Sequence, residues 1–437
     1  MAVWDVGSRR PRSPGRGTVP AMATLVIRGA AQGDDPALGA CDILIRDGRI
    51  AERGPDLAVD VALDEEHEEL DATGLVALPG AIDALARIAD PRTPQAPADD
   101  LGSGTIAAAR GGVTTILAPV VAAAPDTPPM AFDGALVRGQ GNVFVDWGLY
   151  AGVGRPDPGS ADMLRGLAAR DGFAGAYLDL DAVDEAATAG PGAILRIAGL
   201  ADVPITVRAA GLLGADAERR RIGVLSDLGA LADVRPHLIG VASARGVEAL
   251  DGGVTASTTL AHLCLDALPE GAAVRPPLGD ADDREALWVA LADGRLEGVA
   301  SDHRSEPLNG AAGWVGIAAV ELLVPALLTH GVAAGRIDLP TLCEIIAGRP
   351  ARRLGIDGRK GSLAVGADGD VLLVDPERTW TVEPEGLEGR GKAPVWHGRE
   401  LTGAVVHVVS RGQRIVADGA PLFRPGRGRP AFAGRGA

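Results

Sequence analysis

Hydrophobic and polar positions change rhythm twice along the chain. At 24–30 (TLVIRGA), 41–54 (CDILIRDGRIAERG) and 69–80 (ELDATGLVALPG), short apolar runs partly alternate with polar residues and break at Gly and Asp-Gly turns. That is the pattern of antiparallel strands joined by tight turns. The same texture returns at 361–382 (GSLAVGADGDVLLVDPERTWTV) and 403–419 (GAVVHVVSRGQRIVADG). Between these ends the apolar runs are short and unbroken, at 113–120, 143–153, 174–180, 204–210 and 237–243, with two more within 253–265 and 296–307. They alternate with helix-period segments at 100–112, 161–172, 191–201 and 283–294. Strands buried on both faces and separated by helices imply a parallel sheet with crossover connections. About eight such units predict an α/β fold, a (β/α)8 TIM barrel of roughly 250 residues. The two β-rich ends are expected to meet in one small β-sandwich. The resulting plan is a tail or mis-assigned start at 1–22, sandwich at 23–76, barrel at 77–360, sandwich again at 361–423 and a disordered tail at 424–437.

Composition narrows the picture. Hydrophobic residues make up 46% of the 437 and aromatics only 3%, so a large aliphatic, alanine-rich core is expected. The formal charge of −16 argues against a nucleic-acid or anionic-membrane partner. Cys41, Cys264 and Cys343 are widely spaced with no CxxC, which suits a reducing cytoplasm and supplies no cysteine zinc site. No apolar run approaches the roughly 18 residues of a membrane span. Residues 1–22 are rich in Arg, Pro and Gly and lack an apolar signal core, so a start at Met22 is an alternative to a translated tail. The segment GSGTIAAARGG reads as a helix start, because a phosphate loop would end in Gly-Lys-Ser/Thr. EEHEEL at 65–70 reads as a charged loop tip.

At several strand ends the residues resemble a known family. LPGAIDALARIADP (78–91) is similar to the PG-x-ID-x-H-x-H opening of cyclic amidohydrolases, dihydroorotases in particular. SGTIAAARGGVTTILAPV resembles their GGxTTxxxMPNT segment, and GVTASTTLAHLCLDA their VTxExxPHHLxL segment. VRPPLGDADDREALWVALADGRLEGVASDH resembles NPPLR…DREAL…ATDH, and KGSLAVGADGDVLLVDP the return into the sandwich. The resemblance runs from Thr24 to Phe423. It implies a barrel whose C-terminal face holds zinc, which activates a water and polarises a cyclic amide.

The same alignment removes the donors. The two histidines of the opening fall on Leu85 and Arg87, and the substrate-gripping arginine on Ala89. The Asn of MPNT falls on Val120, the next histidine on Arg208 and the following one on Val241. The bridging residue falls near Asp179 or Asp181, which stand in only ambiguously. The NPPLR segment reads Arg275-Pro276-Pro277-Leu278-Gly279, and the last histidine of DHxxH is Glu306. Asp302, the family's general base, survives beside His303. Zinc affinity rests on a complete donor set, and a guanidinium repels a cation. The expectation is therefore no metal and no cofactor.

Asp302 reads either as a vestige of that base or as a carboxylate capping a helix or paired with Arg208 or Arg87. The second reading is simpler, and a salt bridge there would fill the hole a metal leaves. His303 and His262 line the expected pocket with Arg87, Arg208 and Arg275, while His67, His237, His330, His397 and His407 suggest no cluster. The resemblance implies a cytoplasmic, oligomeric, non-catalytic dihydroorotase-like protein that partners the catalytic chain of aspartate carbamoyltransferase. The alternatives are an active dihydroorotase or other cyclic-amide hydrolase with a rearranged zinc site, and an anion pocket built from Arg87, Arg208 and Arg275.

Overall fold

The computed structural model describes residues 24–58, 67–88, 98–123, 125–153, 157–180, 190–209, 214–305, 315–422 and 426–434. Eight parallel strands follow one another in chain order: Ala81–Asp83, Val113–Val120, Asp146–Gly152, Phe173–Asp179, Ile205–Arg208, His237–Ile239, Thr255–Thr259 and Val299–Ala300. They form the expected TIM-like barrel. The seam between the last strand and the first is drawn together by a parallel bridge of Ala86 with His303, and by Arg87 N–H donating to the His303 carbonyl at 2.7 Å.

Helices return the chain between strands. Leu101–Arg110 and Ala281–Ala292 each open with a capping box, from Asp100 with Ser103 and from Asp280 with Asp283. Each box satisfies N–H groups that a helix start otherwise leaves orphaned. The hydrophobic rhythm does not announce Pro128–Gly139 or Ala215–Ala232, whose polar faces dilute it. Nor does it announce that GVTASTTLAHLCL turns from strand into a short helix at Leu260–Cys264. Ile82, Leu117, Tyr150, Tyr177, Ile239 and Ala300 converge from six strands in one buried cluster. The Tyr150 and Tyr177 rings stack within it at 6.3 Å.

Both chain ends enter a second, nine-stranded sheet. Val76–Pro79 pairs antiparallel with Val371–Thr381, joining the two ends directly. That strand lies in the sheet rather than the barrel, so the boundary falls near Gly80 and not at 76. Residues 1–22 lie outside the described residues. Residues 426–434 correct the expectation of a disordered C-terminal tail. Trp147 N–H donates to the Arg429 carbonyl at 3.0 Å, Ala431 N–H to the Trp147 carbonyl at 2.8 Å, and Gly172 N–H to the Phe432 carbonyl at 2.8 Å. Gly148 leaves room for the Phe432 ring, since a Cβ there would lie 2.5 Å from it.

One buried ion cluster ties barrel, sheet and this segment together. Lys360 Nζ lies 2.8 Å from Asp146, 2.7 Å from Asp370 and 3.3 Å from Asp368. Arg411 also pairs with Asp146, whose carboxylate accepts the Arg429 N–H at 2.9 Å. No helix among the described residues is long and apolar enough to cross a membrane.

Candidate functional site

The C-terminal ends of the strands bring together three residues that the sequence singled out. Arg87 follows the first strand, Arg208 ends the fifth, and Asp302 follows the eighth. Arg87 Nε lies 2.9 Å from Asp302 Oδ1, an ionic contact whose angle falls short of a hydrogen bond, and its Nη2 donates to Oδ2 at 3.2 Å. From the other side Arg208 donates Nε to Oδ1 at 3.2 Å and Nη2 to Oδ2 at 3.0 Å. Two guanidiniums therefore clamp one carboxylate. Asp302 sits at φ 44°, a left-handed conformation that Asp tolerates better than most side chains.

The surroundings complete the clamp. Arg208 Nη1 reaches Asp179 Oδ2 at 3.5 Å, and Tyr177 OH donates to the same oxygen at 3.4 Å. Arg275 contributes its carbonyl, which accepts from Arg208 Nη2 at 3.1 Å. Burial alone would raise the Asp302 carboxyl, but the charges of Arg208 and Arg87 hold it below its ordinary value. Burial also works against Arg208, yet Asp302 and Asp179 push its pKa above the usual arginine value. Arg87 is lowered by burial, opposed by Asp302. Arg304 is pushed down to about 10 by burial and by the like charges of Arg87 and Arg208.

The histidines have other work. His262 Nε2 donates to the Pro276 carbonyl at 2.9 Å, while Nδ1 accepts from Thr259 Oγ1 at 2.7 Å. The Nδ1 of His303 accepts from the N–H groups of Ala319 and Val320 at 3.1 and 3.2 Å, so its proton lies on Nε2, 3.3 Å from Asp99 Oδ2. Both nitrogens of His262 are thus hydrogen-bonded within the protein, while His303 Nε2 faces Asp99 in a contact whose angle falls short of a hydrogen bond.

Among the described residues, the positions that carry donors in the family's pattern offer little to a zinc ion. Leu85 and Val241 are fully buried and have no donor atom, and Val120 is buried at the end of its strand. A divalent ion 4 Å from a guanidinium would meet about 8 kcal/mol of repulsion at an effective dielectric of 20. Of the two carboxylates of the family's pattern among the described residues, Asp302 is held by both guanidiniums and Asp179 faces Arg208. Ala89, Asp181 and Glu306 lie outside the described residues.

Two residues that the sequence reading passed over hold the site in place. Asp83, fully buried, accepts the Ser301 N–H at 2.9 Å and the Leu85 N–H at 3.2 Å, fixing both sides of the seam. Burial raises its pKa to about 6 against those hydrogen bonds. Its signal was available as the Asp of PGAIDAL. Asp99 orients His303 and accepts the N–H of Arg390 at 2.8 Å. Nothing in the local sequence marks it.

Comparison with known proteins places these features among relatives. No family model matches the chain. It is 31% identical to an allantoinase of Rubrobacter xylanophilus over 454 aligned positions, spanning 92% of this chain and 96% of that protein. It is 30% identical to a dihydroorotase of Geobacter sp. strain M21, spanning 90% of this chain and all of that protein (100%). Among solved structures, a D-hydantoinase superposes with a TM-score of 0.84 over 93% of this chain and 98% of the other, at 24% identity.

Proposed function

This chain belongs to the cyclic amidohydrolases of the amidohydrolase superfamily, and within that family we propose that it is a dihydroorotase-like member whose role is assembly rather than hydrolysis. Its partner in this reading is the catalytic chain of aspartate carbamoyltransferase, which it holds in a larger complex. The observation that carries the reading is the clamp of Arg87 and Arg208 on Asp302. The carboxylate that would act as general base is engaged on both oxygens, and the neighbouring positions offer cations where donors are needed. A barrel kept whole without its chemistry is useful through its surface, since function resides in sites rather than in folds.

The names of the relatives favour the other reading, a working hydrolase of cyclic amides, at the level of the family. One experiment separates them. The purified protein is dialysed against zinc, its metal content measured, and dihydroorotate turnover assayed. Metal near zero per chain and no turnover are expected. One or two retained ions with turnover would replace this reading by the hydrolase with a rearranged site. Co-migration with aspartate carbamoyltransferase on a sizing column tests the partner, and separate elution of the two would remove it.

A further inference from the structure

A cavity of about 140 Å³ lies where the barrel meets the sheet, lined by Arg110, Glu321, Pro325, Arg378, Trp380 and Val405, with the well-exposed Asp418 beside them. It shares no residue with the clamp at the barrel mouth. The chain builds it by a bulge. The pairing of Val371–Thr381 with Glu400–Ser410 is interrupted between Asp375 and Thr379. There Asp375 Oδ1 accepts the N–H groups of Glu377 and Arg378, each at 3.1 Å, and the loop so formed carries Arg378. Pairing resumes at once, and Trp380 Nε1 donates to the Gly403 carbonyl at 3.2 Å, which fixes the indole.

The polar groups around the cavity divide into spent and unspent. Arg110 is paired with Glu321 and donates to the Gly419 carbonyl, while Glu321 also accepts from the N–H groups of Glu388 and Gly389. The Arg378 guanidinium, by contrast, makes no hydrogen bond or ion pair with any described residue. The charge-bearing group nearest to Asp418 is His407 Nε2 at 4.0 Å. A part-buried indole, the exposed and unpaired guanidinium of Arg378 and the exposed Asp418 carboxylate, whose one charged neighbour among the described residues is His407, thus border one space the size of a ring, since a cavity of about 150 Å³ is enough for benzene.

The geometry points to a binding site for a small planar ring that carries one carboxylate and ring N–H groups. The ring lies on Trp380, the carboxylate meets the Arg378 fork, and Asp418 accepts an N–H while disfavouring a second negative charge. The site is independent of whether the barrel mouth hydrolyses anything.

Orotate is the probe, a planar ring with one carboxylate and two N–H groups. Benzoate lacks the N–H groups, and uracil lacks the carboxylate. Titration calorimetry of the full chain, with indole fluorescence alongside, is expected to show submillimolar orotate binding and at least ten-fold weaker binding of the other two. Arg378→Ala should weaken orotate ten-fold or more, and Arg378→Lys less. Trp380→Leu should weaken it several-fold while Trp380→Phe retains most of it. Thermal melts establish that each variant is folded. No heat with 10 mM orotate overturns the proposal, as does binding that survives both Arg378→Ala and Trp380→Leu.

Discussion

Arg87 and Asp302 stand 215 positions apart in the chain, yet Arg87 Nε lies 2.9 Å from an Asp302 oxygen. The bridge of Ala86 with His303 at the barrel seam sets these two neighbours side by side. Arg208 closes on the same carboxylate from the fifth strand.

Removing the shared anion should be costly. Asp302→Asn keeps the left-handed backbone acceptable but takes the shared counter-charge from both guanidiniums, leaving Arg208 only the longer contact with Asp179. A loss of roughly 3–5 kcal/mol in urea unfolding is expected, as for other broken buried pairs. Adding Arg87→Met and Arg208→Met to that variant should recover most of it. Equal stability of single and triple variants would show that the clamp is not a unit.

Zinc and chelator provide a second test. With the clamp in place, neither 1 mM EDTA nor a slight excess of zinc should move the melting temperature by more than about 1 °C. A protein that held the ion in its native state would gain stability from it by mass action.

Acid should act through Asp83. Its folded pKa, about 6, lies above the 3.8 of the unfolded chain. The cost of burying the charge is therefore fully present above pH 6, is relieved as pH falls, and is gone below about 4. Stability should rise by up to about 3 kcal/mol across that window on lowering the pH. Asp83→Asn should flatten this segment of the curve. Asp302 works in the opposite sense and in another window: its pKa is depressed, so its contribution is lost only as pH drops below the ordinary carboxylate range.

Lys360 is a resident cation among the carboxylates of Asp146, Asp368 and Asp370, a group close enough to ligate an ion. Lys360→Ala should destabilise by several kcal/mol through the uncompensated charges. Calcium or manganese at millimolar levels should restore part of the loss in the variant and leave the parent unchanged. A variant indifferent to both ions would show that the cage collapses without its lysine.

Deleting residues 426–437 should lower stability by about 1–3 kcal/mol, and Phe432→Ala should account for much of it. The segment gives backbone partners to Trp147 and Gly172 and fills the space over Gly148. An unchanged melt would make it an ornament of the fold.

The barrel was legible because unbroken apolar runs such as 113–120 have one physical use, burial on both faces. The clamp was partly legible. Arg87, Arg208 and Asp302 occupy strand ends, and strand ends meet at the barrel mouth, so opposite charges there are candidates for pairing. The partners of His262 and His303 were not legible, because an imidazole's identity says nothing about which carbonyl or N–H its nitrogens have found. Lys360 and Asp146 stayed hidden for a related reason: their partnership crosses from barrel to sheet, and no local pattern carries it. The C-terminal segment misled through composition. Its Gly, Arg and Pro have no periodic apolar face, yet its backbone hydrogen bonds and the single ring of Phe432 tie it to the barrel.

The pairing of Val76–Pro79 with Val371–Val374, and of Ala86 with His303, has a consequence during synthesis. The first strands leave the ribosome with their partners some 200 to 300 residues behind them. At about 5–20 residues per second they wait for tens of seconds with sheet edges open. The barrel cannot close until His303 has emerged, and the sheet cannot be completed until the strands after Val371 have followed. Cellular yield should therefore respond to chaperone supply and to the speed of translation more than to the stability of the finished protein.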